Sequence, residues 1–182
     1  MSAVHTSGAG PWRPADTARP LYWWDERGLQ ALATALQDLL AQWCAAWGMA
    51  CDAAVPRCRP AGQQPVLAAR WLAFDAQAWL SLPEDKDAGL LRALFPDAAD
   101  PGPLARAFAS SCRQDAMARV AALLGLSCGE ECAVPPFAAL AQVGSGAVEA
   151  DLSAPLAARL LLRADLAARW RTGPRDTTPR AR

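Results

Sequence analysis

Cys128–Gly129–Glu130–Glu131–Cys132 sets two thiols with three residues between them, beside ionisable neighbours. Such a pair is the candidate for thiol–disulfide exchange or metal binding. The acidic neighbours oppose redox tuning, because negative charge disfavours the thiolate and raises thiol pKa values. Cys44, Cys51 and Cys58 recur at intervals of seven. A structural zinc needs four ligands in tetrahedral array, usually as tight pairs, whereas these three span a helix, its end and a proline-rich loop. The lone histidine, His5, lies in a Gly/Pro-rich N-terminal stretch and completes no mixed site. Cys44 and Cys112 fall near apolar helix faces, where a thiol behaves as a small hydrophobe. The expectation is scattered reduced thiols, with no metal and no cofactor.

Acid–base and nucleophilic chemistry meet the same shortage. Glu130 with Glu131, and Glu84 with Asp85 and Asp87, are carboxylate clusters, but acid–base work needs two carboxyls held in contrasting environments. Both clusters sit in loop or helix-start positions that suit solvation and dipole compensation. Ser110 and Ser111 have no ordered histidine base. Gly144–Ser145–Gly146 is too short for a phosphate loop and lacks the following lysine. The sequence therefore predicts a non-enzymatic protein with no catalytic residue. It is rich instead in tryptophan, with eight in 182 residues, a side chain suited to packing and to partner surfaces.

Composition narrows the class. Hydrophobic residues make up 53% of the chain, enough for one domain with a real core. The 18 basic and 18 acidic residues cancel, which disfavours nucleic-acid binding by a general basic field. No apolar run reaches bilayer length, so direct membrane insertion is not expected. The N-terminus lacks the basic and apolar regions of a signal peptide, and a cytoplasmic location with reduced cysteines is expected. The Ala, Arg, Leu and Pro bias fits a bacterial, GC-rich source.

These features rest on a series of elements. Residues 1–20 carry no period and read as a disordered tail, 21–171 as a single domain, and 172–182 as a flexible basic tail. Asp25 is a good N-cap. Leu29, Leu32, Leu36, Leu39, Leu40, Trp43 and Trp47 then form one helical stripe, ended at Gly48. Residues 49–65 read as a short extended piece and then loop. Val66 to Phe74 alternates as a strand, with Leu72 and Phe74 on one side and Trp71 on the other. Asp75 to Gln77 turns the chain, and Ala78 to Leu82 returns. Pro83 and Glu84 open a short helix carrying Leu90, Leu91, Leu94 and Phe95.

A longer helix runs from about Pro103 to Gly125, with Leu104, Phe108, Cys112, Met117, Val120, Leu123 and Leu124 on or near one face. Residues 126–146 read as loop. In 147–152, Val148, Ala150 and Leu152 face one way and Glu149 and Asp151 the other, as in a half-exposed strand. Ala157 to Arg163 pairs back, and Asp165 caps a last helix through Trp170; one helix from Pro155 to Arg171 is the competing reading. The predicted fold class is α+β: amphipathic helices packed on a small, mostly antiparallel sheet made from two hairpins.

A helix with W–x3–W, the hairpin WLAF–DAQ–AWLSLP running into LLRALFP, a helix ending VAALLG, and PPFAALAQVGSGAVEADL leading into LLLRADLAARW follow one another within residues 21–171. This series resembles the N-terminal region that precedes the SPOA domain in cytoplasmic-ring components of type III secretion systems and their flagellar motor switch relatives. The resemblance implies a cytoplasmic scaffold that docks other secretion-apparatus proteins, as a homo- or hetero-oligomer, with no catalytic residues. Members of that family continue into one or two small β domains of the SPOA type. The residues after 171 are too few for one, so a split, truncated or diverged component is expected. Partner contact is expected at Trp23, Trp24 and the end of the first helix at Trp47. The competing readings are a cytosolic secretion chaperone or regulatory protein, and a redox or metal protein using Cys128 and Cys132.

Overall fold

The computed structural model describes residues 24–50, 55–61, 70–82, 85, 87–132, 146–152 and 154–171. Both tails, Trp23, Cys51, residues 66–69, Pro83, Glu84, Gly144 and Ser145 lie outside the described residues.

Helix α1 (Glu26–Ala46) is built by local signals. Asp25 accepts the Gly28 N–H at 2.7 Å, which satisfies one of the free amides of the first turn. Leu32, Leu36, Leu40 and Trp43 are buried along one stripe. Gly48 then takes a left-handed conformation at φ +67°. That lets the Gly48 N–H reach the Ala45 carbonyl (3.2 Å) and the Met49 N–H the Cys44 carbonyl (2.9 Å), closing the helix.

The strands are β1 (Arg57–Pro60), β2 (Arg70–Phe74), β3 (Ala78–Leu82), β4 (Cys128–Cys132), β5 (Val148–Leu152) and β6 (Ala158–Leu162). They form one antiparallel sheet in the order β1-β5-β6-β3-β2-β4. The two expected hairpins, β2–β3 and β5–β6, lie side by side through the β3–β6 pairing. The first turns at Asp75–Ala76–Gln77 as read from the sequence, with Asp75 and Ala76 at φ +46° and +51°. The Asp75 carboxylate accepts the Ser127 N–H at 2.7 Å, tying this turn to the segment entering β4.

β4 is a correction. Residues 126–146 were expected as loop, yet Cys128–Cys132 pairs with β2. Its residues are exposed apart from half-buried Cys132, so an edge strand here needs no apolar alternation. The register shifts between Leu72 and Phe74, the irregularity of a bulge.

Alternation sorts the sheet into two faces. Leu72, Phe74, Leu80, Val148, Ala150, Leu160 and Leu162 share one buried cluster with residues of α1, of α2 (Ala88–Leu94) and of α3 (Pro103–Leu124). The fold is therefore α+β, as expected. Trp43 crosses the α1–α3 seam, its indole N–H donating to the Cys112 carbonyl at 3.1 Å. On the opposite face, Trp71, Trp79, Ala147 and Leu161 form a second, smaller buried cluster.

Beside that cluster lies a charged lattice. Arg59 Nε donates to Glu149 at 2.5 Å and Arg159 Nε to Asp151 at 2.7 Å. Arg59 also lies 3.4 Å from Asp151, and Arg159 3.8 Å from Glu149. β5 was expected to be half-exposed, yet Glu149 is buried. Its charge is sustained there by two guanidinium partners, as a buried carboxylate requires.

Past β6 the chain makes a 3-10 turn (Ala164–Leu166) and then α4 (Ala167–Arg171). Asp165 sits inside that turn and makes no capping bond. The competing single helix from Pro155 is absent, since Ala158–Leu162 is strand. Arg169 of α4 donates to the carbonyls of Leu124 and Gly125. α3 has no basic residue in its own last turn, so α4 supplies the cation its negative end favours.

Candidate interaction surface

Among the described residues, chemistry-bearing side chains are separated rather than gathered. Cys128 stands opposite Phe74 and Cys132 opposite Trp71. Four strand steps of ~3.3 Å put their Cα atoms about 13 Å apart, well beyond disulfide reach. The sequence pair Cys128 and Cys132 is therefore no pair in the fold. Burial pushes the Cys128 thiol up from its ordinary value. The Cys112 thiol is pushed up to about 12 by burial and the Asp115 charge, and that of Cys58 to about 11 by burial and Asp151. Each shift opposes the thiolate.

No group of three or more His, Cys, Asp or Glu able to hold a metal occurs among the described residues. Of the carboxylates, Asp87 pairs with Arg113 at 2.9 Å and Glu131 with Arg70 at 3.3 Å. Ser111 donates its hydroxyl to the Ala107 carbonyl at 3.1 Å. Ser110 accepts from Arg113 at 3.3 Å.

The surface that stands out is apolar. Leu104, Phe108 and Val55 are the large hydrophobic residues exposed among those described, at 85%, 46% and 52%. The first two adjoin one another on α3, which makes a patch rather than scatter. Both were expected on the apolar face of that helix with Cys112. The structure corrects this: α3 buries Ala109, Cys112, Ala116, Met117, Val120, Ala121 and Leu124. At 3.6 residues per turn, each four-residue step drifts by about 40°. Stepping back from Cys112 to Phe108 and Leu104 therefore leaves the buried stripe.

Three aromatic rings from three elements meet at this patch. Phe108 lies edge-on to Trp47, at the end of α1, with centroids 5.1 Å apart. It also lies edge-on to Phe95, at the end of α2, at 6.0 Å. Edge-to-face contacts of this kind suit the ring quadrupole. Trp47 is fixed from behind: its indole N–H donates to Asp115 at 2.8 Å, and Arg119 donates to the same oxygen at 2.9 Å. The Trp47 hydrogen bond and Arg119 hold the Asp115 carboxyl below its ordinary pKa. Phe95 and Phe108 help to line an open groove of about 720 Å³, together with Leu104 and the small residues Gly102, Ala105, Ala107 and Ser111. No charged side chain lines it.

No family model, curated protein or solved structure matches this chain. Its surfaces must speak through their own geometry.

Of the three tryptophans expected to meet a partner, the two described ones lie apart. Trp23 lies outside the described residues. Trp24 is half-buried against the main core just before α1, where it suits a staple on the helix start. Its indole nitrogen is buried without a hydrogen-bond partner among the described residues. Trp47 joins the aromatic patch, at the far end of α1 from Trp24; a helix of that length spans roughly 30 Å. Phe95, Leu104 and Phe108 were not singled out for contact from the sequence. In sequence Leu104 and Phe108 continue the four-residue row of Cys112, Ala116 and Val120, so nothing there sets them apart from core. No helix among the described residues is long and apolar enough to cross a membrane.

Proposed function

We propose that this chain is a non-enzymatic cytoplasmic scaffold or adaptor of a bacterial type III secretion or flagellar-type apparatus, acting through protein–protein contacts. The observation that carries the contact role is the open apolar groove lined by Phe95, Leu104 and Phe108, of which Leu104 is the most exposed. Exposed apolar patches rimmed by polar residues mark interaction sites and ligand-binding grooves. Aromatic rings held rigid by a hydrogen-bonded support, as Trp47 is by Asp115, lose little entropy on docking. The order of the elements supports the secretion setting, through the resemblance given above.

The test is affinity capture from native cytosol with the full chain. Ala107→Arg places a charge in the groove at an exposed position and leaves the core alone. Secretion-apparatus proteins are expected with the native chain and lost with the variant, at unchanged far-UV circular dichroism. Capture of no such protein, or equal capture by both chains, overturns the reading.

A further inference from the structure

We propose that residues 172–182 of this chain dock along the open edge of β4, as a further strand that covers it. The two ends of the sheet are not alike. At β1 the Ala61 N–H donates to the Ala147 carbonyl at 2.9 Å, and Arg57 to Pro60 pair with Asp151 to Val148. Backbone groups alternate in direction along a strand, so Arg57 and Arg59 point theirs at β5, and Cys58 and Pro60 point theirs outward. Proline has no N–H, which leaves Cys58 as the one outward donor of β1. A proline at this place closes an edge to further strands. β4 (CGEEC) contains no proline. Among the described strands it pairs with β2 alone, so its other side presents N–H and C=O groups to an incoming strand.

Charge and position select the occupant. Glu130 and Glu131 lie exposed on β4, and Asp75 accepts the Ser127 N–H just before it; Arg70 pairs with Glu131. The edge is thus acidic on balance and favours a strand that brings cations. Residues 172–182 carry Arg175, Arg180 and Arg182 against Asp176. Pro174 and Pro179 bias the residue before each toward extended backbone, and Thr177 and Thr178 are β-branched. The segment has no large apolar side chain, so a backbone edge suits it and the apolar groove does not. It also starts in the right place. Arg169 donates to the carbonyls of Leu124 and Gly125, and three Cα steps put Gly125 within about 11 Å of Cys128. Extended, residues 172–182 reach about 36 Å, about twice the length of β4. From this start the segment runs parallel to β4, with its arginines beside Glu130 and Glu131. Occupied in this way, the edge is closed to strands of other chains.

The experiment is amide hydrogen exchange on the full chain, followed residue by residue by NMR. The native chain is expected to protect the amides of Cys128–Cys132 that face away from β2. Arg175→Glu, Arg180→Glu and Arg182→Glu together are expected to speed their exchange at least about tenfold, with exchange in β3 and β6 unchanged. Adding Glu130→Arg to that variant is expected to restore the protection. Outward amides of β4 that exchange freely in the native chain, or equally in all three chains, overturn the proposal. Protection that Glu130→Arg fails to restore overturns it too, because the arginines would then act elsewhere. So does protection that rises with protein concentration, since the strand would then come from a second copy.

Discussion

Gly89 of α2 lies so close to Pro155, in the turn between β5 and β6, that a β-carbon on Gly89 would fall 2.5 Å from the Pro155 carbonyl oxygen. The obstacle is backbone and cannot rotate away. Helix propensity alone would favour alanine at this position by about 1 kcal/mol. The contact reverses that sign, and Gly89→Ala is expected to destabilise the fold by about 1–3 kcal/mol. Urea unfolding monitored by tryptophan fluorescence measures it; a variant as stable as the native chain would show that α2 does not press on this turn.

The Trp47–Asp115 bond has a pH signature. The hydrogen bond from Trp47, with Arg119 beside it, lowers the Asp115 pKa in the fold. The unfolded chain then takes up the proton first as pH falls. The stabilisation is fully present above the ordinary carboxylate value of about 4 and is lost as pH drops through the lower folded value. Asp115→Asn keeps an acceptor for the indole N–H and has nothing to titrate. The stability gap between the native chain and the variant is expected to narrow as pH falls from about 6 to about 3. Parallel urea midpoints across that range would contradict the assignment.

Glu149 and Arg59 are partners of unequal standing. The Glu149 side chain is 10% exposed and that of Arg59 is 50%. Removing the carboxylate by Glu149→Ala leaves Arg59 and Arg159 with Asp151 as their shared partner and removes the buried charge-assisted hydrogen bond, which costs about 1–3 kcal/mol. Arg59→Ala leaves Glu149 with Arg159 and is expected to cost clearly less, since an exposed partner is cheaply replaced by water. Thermal unfolding of both variants decides the matter, and equal losses would mean that Glu149 is solvated in solution.

The thiols are expected to behave as packing groups. Cys44 and Cys112 are buried, and Cys128 is exposed with its thiol pushed up by burial of its sulfur. Under native conditions Cys44 and Cys112 resist alkylation until urea releases them. Cys128 reacts, but more slowly than free cysteine, because the thiolate is the nucleophile. Mass spectrometry of timed samples reads each site. Modification of Cys128 faster than free cysteine would revive a redox role for β4.

What was legible in the sequence was local. The stripe of α1, its Asp25 cap and its Gly48 terminator all lie within a few residues of what they control. The same holds for the Asp75–Gln77 turn and the alternation of β5. What was not legible depended on partners distant in the chain. β4 has the composition of a loop, and only the neighbouring β2 makes it a strand. Glu149 looks solvent-facing by period and is buried by arginines on two other strands. Leu104 and Phe108 count as core by hydrophobicity, but the helical drift that exposes them shows only once the buried face of α3 is known.

The strand order has a consequence for how the chain comes together. Trp79 pairs with Leu161 across the seam between the two hairpins, and all of α2 and α3 lies between them in sequence. This seam closes a long loop, whose entropic cost must be met before the pairing repays it. On a ribosome, β2 and β3 emerge long before β6, and wait with Trp71, Trp79 and an open strand edge uncovered. The sheet is thus exposed to aggregation until Ala158–Leu162 has been made and has paired.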